Sequence, residues 1–237
     1  SMYIRIMLNR ERHLRHLKAL MDSFPIVAIL GARQTGKTTL AHALAGNSKG
    51  PVRIFDLENP VDQAKLEDPM LALGSIKEGC VILDEIQHRP DIFSVLRVLA
   101  DRPSSGVKFL ILGSASPHLL KQSSESLAGR VALYELQGFS LDEVGMDSLN
   151  SLWLRGGFPR SFLSDTDSTS FEWRQNFVRT FLERDLPQLG ITIPALALRR
   201  FWTMLAHVHG QIWNASEFAR AFGVSDVRCS ARGRLVP

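Results

Sequence analysis

Two kinds of hydrophobic spacing alternate along the chain. Residues 24–30, Phe-Pro-Ile-Val-Ala-Ile-Leu, make a short continuous apolar run, as a strand buried on both faces requires. Residues 52–57 alternate and read as a second strand; 80–83, 109–112 and 131–136 read as a third, fourth and fifth. Between them lie stretches with helical spacing: 38–44, closed by Gly46, and 92–100, where Ile92, Phe93, Val95, Leu96 and Leu99 recur. Strands separated by helices indicate a parallel sheet covered on both sides. Ahead of the first strand, Met7, Leu14, Leu17 and Met21 recur at helical spacing, with Arg5, Arg10, Arg12, Arg15 and Lys18 on the other faces. That pattern predicts an amphipathic helix packed on the next domain with its basic side in water. A surface that tracks phosphates is the alternative.

Beyond a polar boundary at 147–150 the chain changes character. Residues 153–162 contain Gly156-Gly157-Phe158-Pro159. Residues 171–186 have helical spacing, with Phe171, Phe177, Phe181 and Leu182 expected to face a core and Pro187 expected to end the helix. Another helix is expected over 195–207. Residues 214–225 read as a capped helix, a Gly turn and a Ser placed to cap a second helix, the start of a helix-turn-helix. The tail after Asp226 has little amphipathic pattern. Three parts are expected: an N-terminal helix over 1–22, an α/β core over 23–146, and a helical C-terminal region over 147–237 with an incomplete helix-turn-helix.

Composition narrows the setting. The 237 residues suffice for one large α/β core plus a smaller domain. The hydrophobic share of 45% and charged share of 22% are ordinary for a globular protein. No apolar stretch approaches the roughly 18 residues that suggest a membrane span, and the start does not read as a signal peptide. Cys80 and Cys229 are far apart, and Cys80 opens an apolar run, so a reducing cytoplasm is expected. The formal charge of +4 and pI near 9.3 are compatible with nucleic acid or acidic partners without requiring them.

The strongest chemical signal is Gly31-Ala32-Arg33-Gln34-Thr35-Gly36-Lys37-Thr38, a complete G-x-x-x-x-G-K-[ST] pattern between an expected buried strand and a helix, with Thr39 in the first helical turn. The glycines let the backbone curl so that successive N–H groups point at one anion, and the helix dipole adds to them. Lys37 is placed to reach the β- and γ-phosphates of ATP, and the Thr38 hydroxyl to ligate Mg²⁺. The third expected strand runs into Asp84-Glu85. An Asp there holds the Mg²⁺ shell, and an adjacent Glu can orient or deprotonate the attacking water. Ser114, at the end of the fourth strand, is a candidate to bond that water or the γ-phosphate. Arg130 is a candidate charge stabiliser, acting in cis or from a neighbouring subunit. The side chain of Arg33, inside the loop, is expected to point to solvent.

These stretches carry a family resemblance. Residues 24–39, Val81-Ile82-Leu83-Asp84-Glu85-Ile86-Gln87, Gly113-Ser114-Ala115-Ser116, Ser126-Leu127-Ala128-Gly129-Arg130 and residues 180–186 occur in the order found in prokaryotic predicted ATPases of the AAA+ superfamily with a DUF4143-type C-terminal region. The resemblance covers some nine-tenths of the chain. It implies a P-loop NTPase three-layer sandwich of the additional-strand type, strand order 5-1-4-3-2. It also implies Walker A roles for Lys37 and Thr38, Walker B roles for Asp84 and Glu85, and a place near sensor 1 for Ser114. Gly157-Phe158-Pro159 is similar to an element that contacts adenine in related signal-transduction ATPases, and a plain helix entry is the alternative. Glu183-Arg184-Asp185 is a family signature best read as a structural ion pair. Members of the family continue through a complete winged helix, so the tail suggests truncation or a frameshift near Val227.

Two functions stay open on these grounds. One is an ATP hydrolase whose turnover moves the C-terminal region. The other is a nucleotide-gated switch, slow or unable to hydrolyse, that recruits a protein or DNA partner. A small-molecule kinase is a distant third, since Glu85 suits water. A homo-oligomer follows if Arg130 acts on a neighbour, DNA binding is a weak expectation, and a membrane is not expected.

Overall fold

Successive side chains on a strand point to opposite faces, and this rule sorts the core into two halves. The computed structural model describes residues 10–46, 50–102, 106–114, 126–188, 191, 193–212 and 214–222. Five strands, β1 (Ile26–Leu30), β2 (Val52–Asp56), β3 (Glu78–Asp84), β4 (Gly106–Gly113) and β5 (Val131–Glu135), form one sheet in the order β2-β3-β4-β1-β5. Read from the other edge this is 5-1-4-3-2, as the resemblance implied, and every neighbouring pair is parallel. One face of β1, β3 and β4 presents Val27, Ile29, Cys80, Ile82, Leu110 and Leu112. It is covered by α1 (Glu11–Ser23), through Leu17 and Met21, and by α2 (Lys37–Gly46), through Leu40, Ala41 and Leu44. The other face presents Ile26, Ala28, Leu30, Val81, Leu83, Phe109 and Ile111.

That second face is covered by the stretch holding α3 (Pro60–Lys65), α4 (Pro69–Gly74) and α5 (Ile92–Ala100). Leu66, Leu73, Ile92, Phe93, Leu96 and Leu99 are among its buried side chains. On α5 they fall at i, i+1, i+4 and i+7, one stripe of a helix. Both short helices begin at a proline just after a capping residue: Asn59 accepts from the Val61 N–H and Asp68 from the Leu71 N–H. The expectation of a sheet covered on both faces holds for the three central strands. The edge strands, each paired on one side, keep Val52 and Ile54 on β2 and Leu133 on β5 exposed.

The chain divides into two compact units, residues 1–173 and 174–237. In the first, β5 is followed by the short helices Leu141–Val144, Leu149–Arg155 and Pro159–Phe162. Leu141–Val144 opens with a capping box in which Ser140 and Glu143 satisfy each other's backbone N–H groups. Phe171, expected to face a core, is more than half exposed.

In the second unit, Leu182, Leu186 and Leu198 form one small cluster, and Phe201, Phe218 and Ala219 another. The helix Asp167–Thr180 does not stop at Pro187. It widens into a π-helical segment, Phe181–Asp185, and continues through Leu186–Gln188. A proline in an α-helix removes one hydrogen bond and crowds the carbonyl four residues back; a wider turn ahead of it relieves both. Within the segment Arg184 Nε contacts Asp185 Oδ1 at 3.1 Å, the ion pair expected of that signature. The helix Ala195–His207 has the expected bounds, and Ala215–Phe222 is capped by Asn214, which accepts from the Ser216 N–H. The expected second helix after Ser225 lies outside the described residues.

Candidate functional site

The loop of residues 31–38 leaves the C-terminal end of β1 and enters α2. Two of its glycines are required for different reasons. A Cβ on Gly31 would stand 2.2 Å from the Leu136 carbonyl oxygen, because Leu136 extends the β5 pairing by donating its N–H to Leu30 at 2.7 Å. Gly36 has φ +93°, and Gln34 also lies in the left-handed region at φ 66°. Lys37, only 6% exposed, donates to the Gly31 carbonyl at 3.1 Å and the Ala32 carbonyl at 2.8 Å. Burial pushes its pKa down, and the carboxylates of Glu85 and Asp84 oppose that shift.

Thr38, one residue on, donates its hydroxyl to Asp84 Oδ2 at 2.7 Å. Asp84 is the last residue of β3, 9% exposed, and its Oδ1 accepts the Glu85 N–H at 2.9 Å. A hydroxyl and a carboxylate converging at the mouth of the loop suit a hard cation that takes few protein ligands and oxygen donors, as Mg²⁺ does. Glu85 adopts φ 55°, ψ 48°. Such a backbone costs a non-glycine residue on the order of 1 kcal/mol. The Gln87 amide donates to the Glu85 carboxylate, and Gln87 Oε1 is buried with no partner among the described residues. Ser114 follows Gly113, whose carbonyl accepts the Gly31 N–H at 3.3 Å. Since β4 lies between β1 and β3, Ser114 stands at the same sheet edge as the loop and Asp84. Ala115 and Ser116 lie outside the described residues.

Two sequence expectations need correction. Arg130 is not brought to the loop of its own chain. It directly precedes β5, and its carbonyl accepts the Ile26 N–H at the start of β1. The five residues of β1 therefore separate it from the loop, about 16 Å at ~3.3 Å per residue. Its guanidinium grips both oxygens of Asp101, at 2.6 and 2.8 Å, and the Ala128 carbonyl at 2.9 Å. Arg33 does not point freely to solvent: it pairs with Glu58, which also meets His88 Nε2 at 3.4 Å.

The structure also adds residues that the sequence reading missed. Arg10, assigned to a solvated basic face, is 8% exposed and donates to the Thr35 carbonyl at 2.9 Å. Gln87 sat inside a matching stretch without a role. Pro159 Cγ lies 3.9 Å from where a Gly36 Cβ would stand, and the Gly157 carbonyl accepts the Phe139 N–H at 2.6 Å. The Gly157-Phe158-Pro159 element thus reaches the loop. No group of three or more His, Cys, Asp or Glu side chains that could hold a metal occurs among the described residues. No helix among them is long and apolar enough to cross a membrane.

Residues 23–145 match the model of an AAA domain, and residues 146–231 match a domain of unknown function, DUF8612. The second match replaces the DUF4143-type region that the resemblance implied. It runs past Val227, so a break at that point finds no support. Two curated relatives, uncharacterized protein Mb2031c of Mycobacterium bovis and uncharacterized protein Rv2008c of Mycobacterium tuberculosis, are each 50% identical over 220 residues. The aligned part is 93% of this chain and 49% of either relative, so the chain spans about half the length of the curated relatives it matches. The Walker-type ATPase PABY2304 of Pyrococcus abyssi has a similar fold, with a TM-score of 0.56 at 14% identity, over 95% of this chain and 89% of that one.

Proposed function

Because the chain belongs to the AAA domain family, we propose that it binds ATP with Mg²⁺ at residues 31–39 and hydrolyses it. One observation carries this reading: the Thr38 hydroxyl on the Asp84 carboxylate at 2.7 Å, with Lys37 buried beside them and Glu85 next in the chain. In this reading the backbone N–H groups of the loop hold the phosphate oxygens. An ammonium has three donors, and two on Lys37 are engaged by carbonyls, which leaves the third for a phosphate oxygen. Thr38 and Asp84 would hold Mg²⁺, which supplies positive charge against the phosphate oxygens. Glu85 accepts a proton from water as the water oxygen bonds to the γ-phosphorus and the bond to the β–γ bridging oxygen breaks, giving ADP and phosphate. Ser114 orients that water or the γ-phosphate. Pro159, in reach of Gly36, supports a place for the Gly-x-Pro element beside the bound nucleotide. Turnover would then drive movement of the C-terminal region, in a cytoplasmic protein.

A second reading has its own observation. Glu85 is occupied by Gln87, and Arg130 stands at the far end of the sheet. A chain acting alone would then turn ATP over slowly and serve as a nucleotide-gated switch for a protein or DNA partner. Arg130 would contribute only from a neighbouring copy. The discriminating measurement is phosphate release from ATP and Mg²⁺ across a protein concentration series, with and without duplex DNA. Turnover that disappears in Glu85→Gln establishes the hydrolase. ATP binding with turnover that stays slow or absent at every concentration establishes the switch, and absence of ATP binding overturns both. Stimulation by DNA would identify the partner.

A further inference from the structure

Arg10 precedes the residues matched to the AAA domain, yet its side chain ends inside the site. We propose that Arg10 is a positioning residue for nucleotide phosphate: its guanidinium fixes the Thr35–Gly36 peptide so that the Gly36 N–H faces the anion. This rests on the phosphate-binding reading of residues 31–38.

The argument starts from peptide geometry. In a planar trans peptide the C=O and N–H point in opposite directions. Arg10 Nη1 holds the Thr35 carbonyl at 2.9 Å, so the N–H of the same peptide, which belongs to Gly36, is turned the other way. Gly36 has no Cβ and sits at φ +93°, a backbone free to rotate unless something holds it. No other residue of the loop fixes that carbonyl among the described hydrogen bonds.

The rest of the guanidinium is anchored. Nη2 donates to the Gln137 carbonyl at 3.2 Å, Nε lies 2.8 Å from Glu143 Oε1, and the group sits over the Phe139 ring at 4.7 Å from its centroid. Glu143 is itself held, because its Oε2 accepts the Ser140 N–H at 2.8 Å. Burial lowers the Arg10 pKa, and Glu143 opposes that shift. A buried arginine is a poor choice for stability alone, since apolar residues of similar volume often serve as well or better. With its charge offset by Glu143, Arg10 contributes orientation to the loop rather than net attraction for phosphate. A fork of donors does this where a single ammonium would not.

The test measures Mg²⁺-ATP affinity and melting temperature for the wild type, Arg10→Met and Glu143→Gln. Both variants disturb the buried cluster, but only the first frees the Thr35 carbonyl. Arg10→Met is expected to weaken ATP binding by about tenfold or more, the scale of one charge-assisted hydrogen bond. Glu143→Gln, with a comparable loss of melting temperature, is expected to stay within about threefold of wild type on the same scale. Unchanged affinity in Arg10→Met, or affinity losses in both variants that follow their melting temperatures, would overturn the proposal. A second measurement needs no variant: hydrogen exchange of the Gly36 amide in the wild type should slow on adding ATP, and an unchanged rate would also overturn it. A wild type that does not bind ATP sinks the phosphate reading itself, which is a separate result.

Discussion

The two ends of the sheet use charge in opposite ways. At the C-terminal end, Lys37, Asp84 and Arg10 are each less than 10% exposed; Lys37 donates to two backbone carbonyls, and Arg10 donates to a loop carbonyl while Glu143 offsets its charge. At the N-terminal end, Arg130 and Asp101 form a two-pronged pair in which both side chains keep substantial exposure. Exposed pairs of this kind contribute little to stability because water and salt screen them. Buried charges with incomplete partners are expensive, and a fold retains them where something else completes the set. The same strands therefore end in a closed, screened rim on one side and in a polarised cradle on the other.

Breaking the cradle has the largest expected effect. Lys37→Ala should abolish tight ATP binding, raising Kd by more than about 100-fold, the scale of a lost charged contact or two. Its melting temperature should not fall, since a desolvated cation is removed. Isothermal titration and thermal melting together check both. Next, Glu85→Gln should reduce turnover by about 10²–10⁴, the usual contribution of a general base, with ATP affinity preserved. Equal losses of affinity and turnover would show that Glu85 is part of the binding framework instead. Gln87→Leu should then split the same way but less steeply, lowering kcat about tenfold through a misplaced Glu85 without altering ATP affinity.

The far end should respond differently. Arg130→Ala is expected to leave ATP affinity unchanged at all protein concentrations. If it lowers turnover, the loss should appear only where turnover per chain rises with concentration, the mark of a neighbour's loop being served. A loss at high dilution would contradict the placement of Arg130 at the opposite rim.

The smallest effect concerns the middle of the sheet. Burial pushes the Cys80 thiol from about 9 up to about 11. Between those values the unfolded chain loses a proton that the folded one keeps, so stability should fall as pH rises from about 9 to about 11, by at most about 1.4 kcal/mol per pH unit. Cys80→Ala should remove that part of the slope in denaturant titrations, and an identical slope in both proteins would contradict the burial of the thiol.

Much of this was legible in the order of residues. The apolar run before Gly31, the run before Asp84 and the stripe on residues 92–100 each depend on neighbours within a few positions, and all three became the elements expected. The conformation of residues 31–38 was legible for the same reason: Gly36, Lys37 and Thr38 are placed by local backbone geometry between β1 and α2. The edge strands were harder. Val52, Ile54 and Leu133 have the composition of covered positions, and only the strand order left them outside the layers. Pro187 read as a stop, because the wider π-helical turn that accommodates it has no sequence signature of its own.

The sequence by itself determined the five strands, the helices around residues 38–44 and 92–100, and the turn between β1 and α2, since short-range sterics and hydrophobic period act along the chain. Tertiary structure alone decided where the distant charges went. Arg10 and Glu143 are 133 positions apart in sequence yet meet at 2.8 Å, and Arg130 is turned to the opposite rim by Asp101. Gly31 is confined by a carbonyl of Leu136 that no local pattern announces. A charged side chain reads as solvated until packing removes its water, and which charges lose that water depends on how strands are ordered and where their connections return.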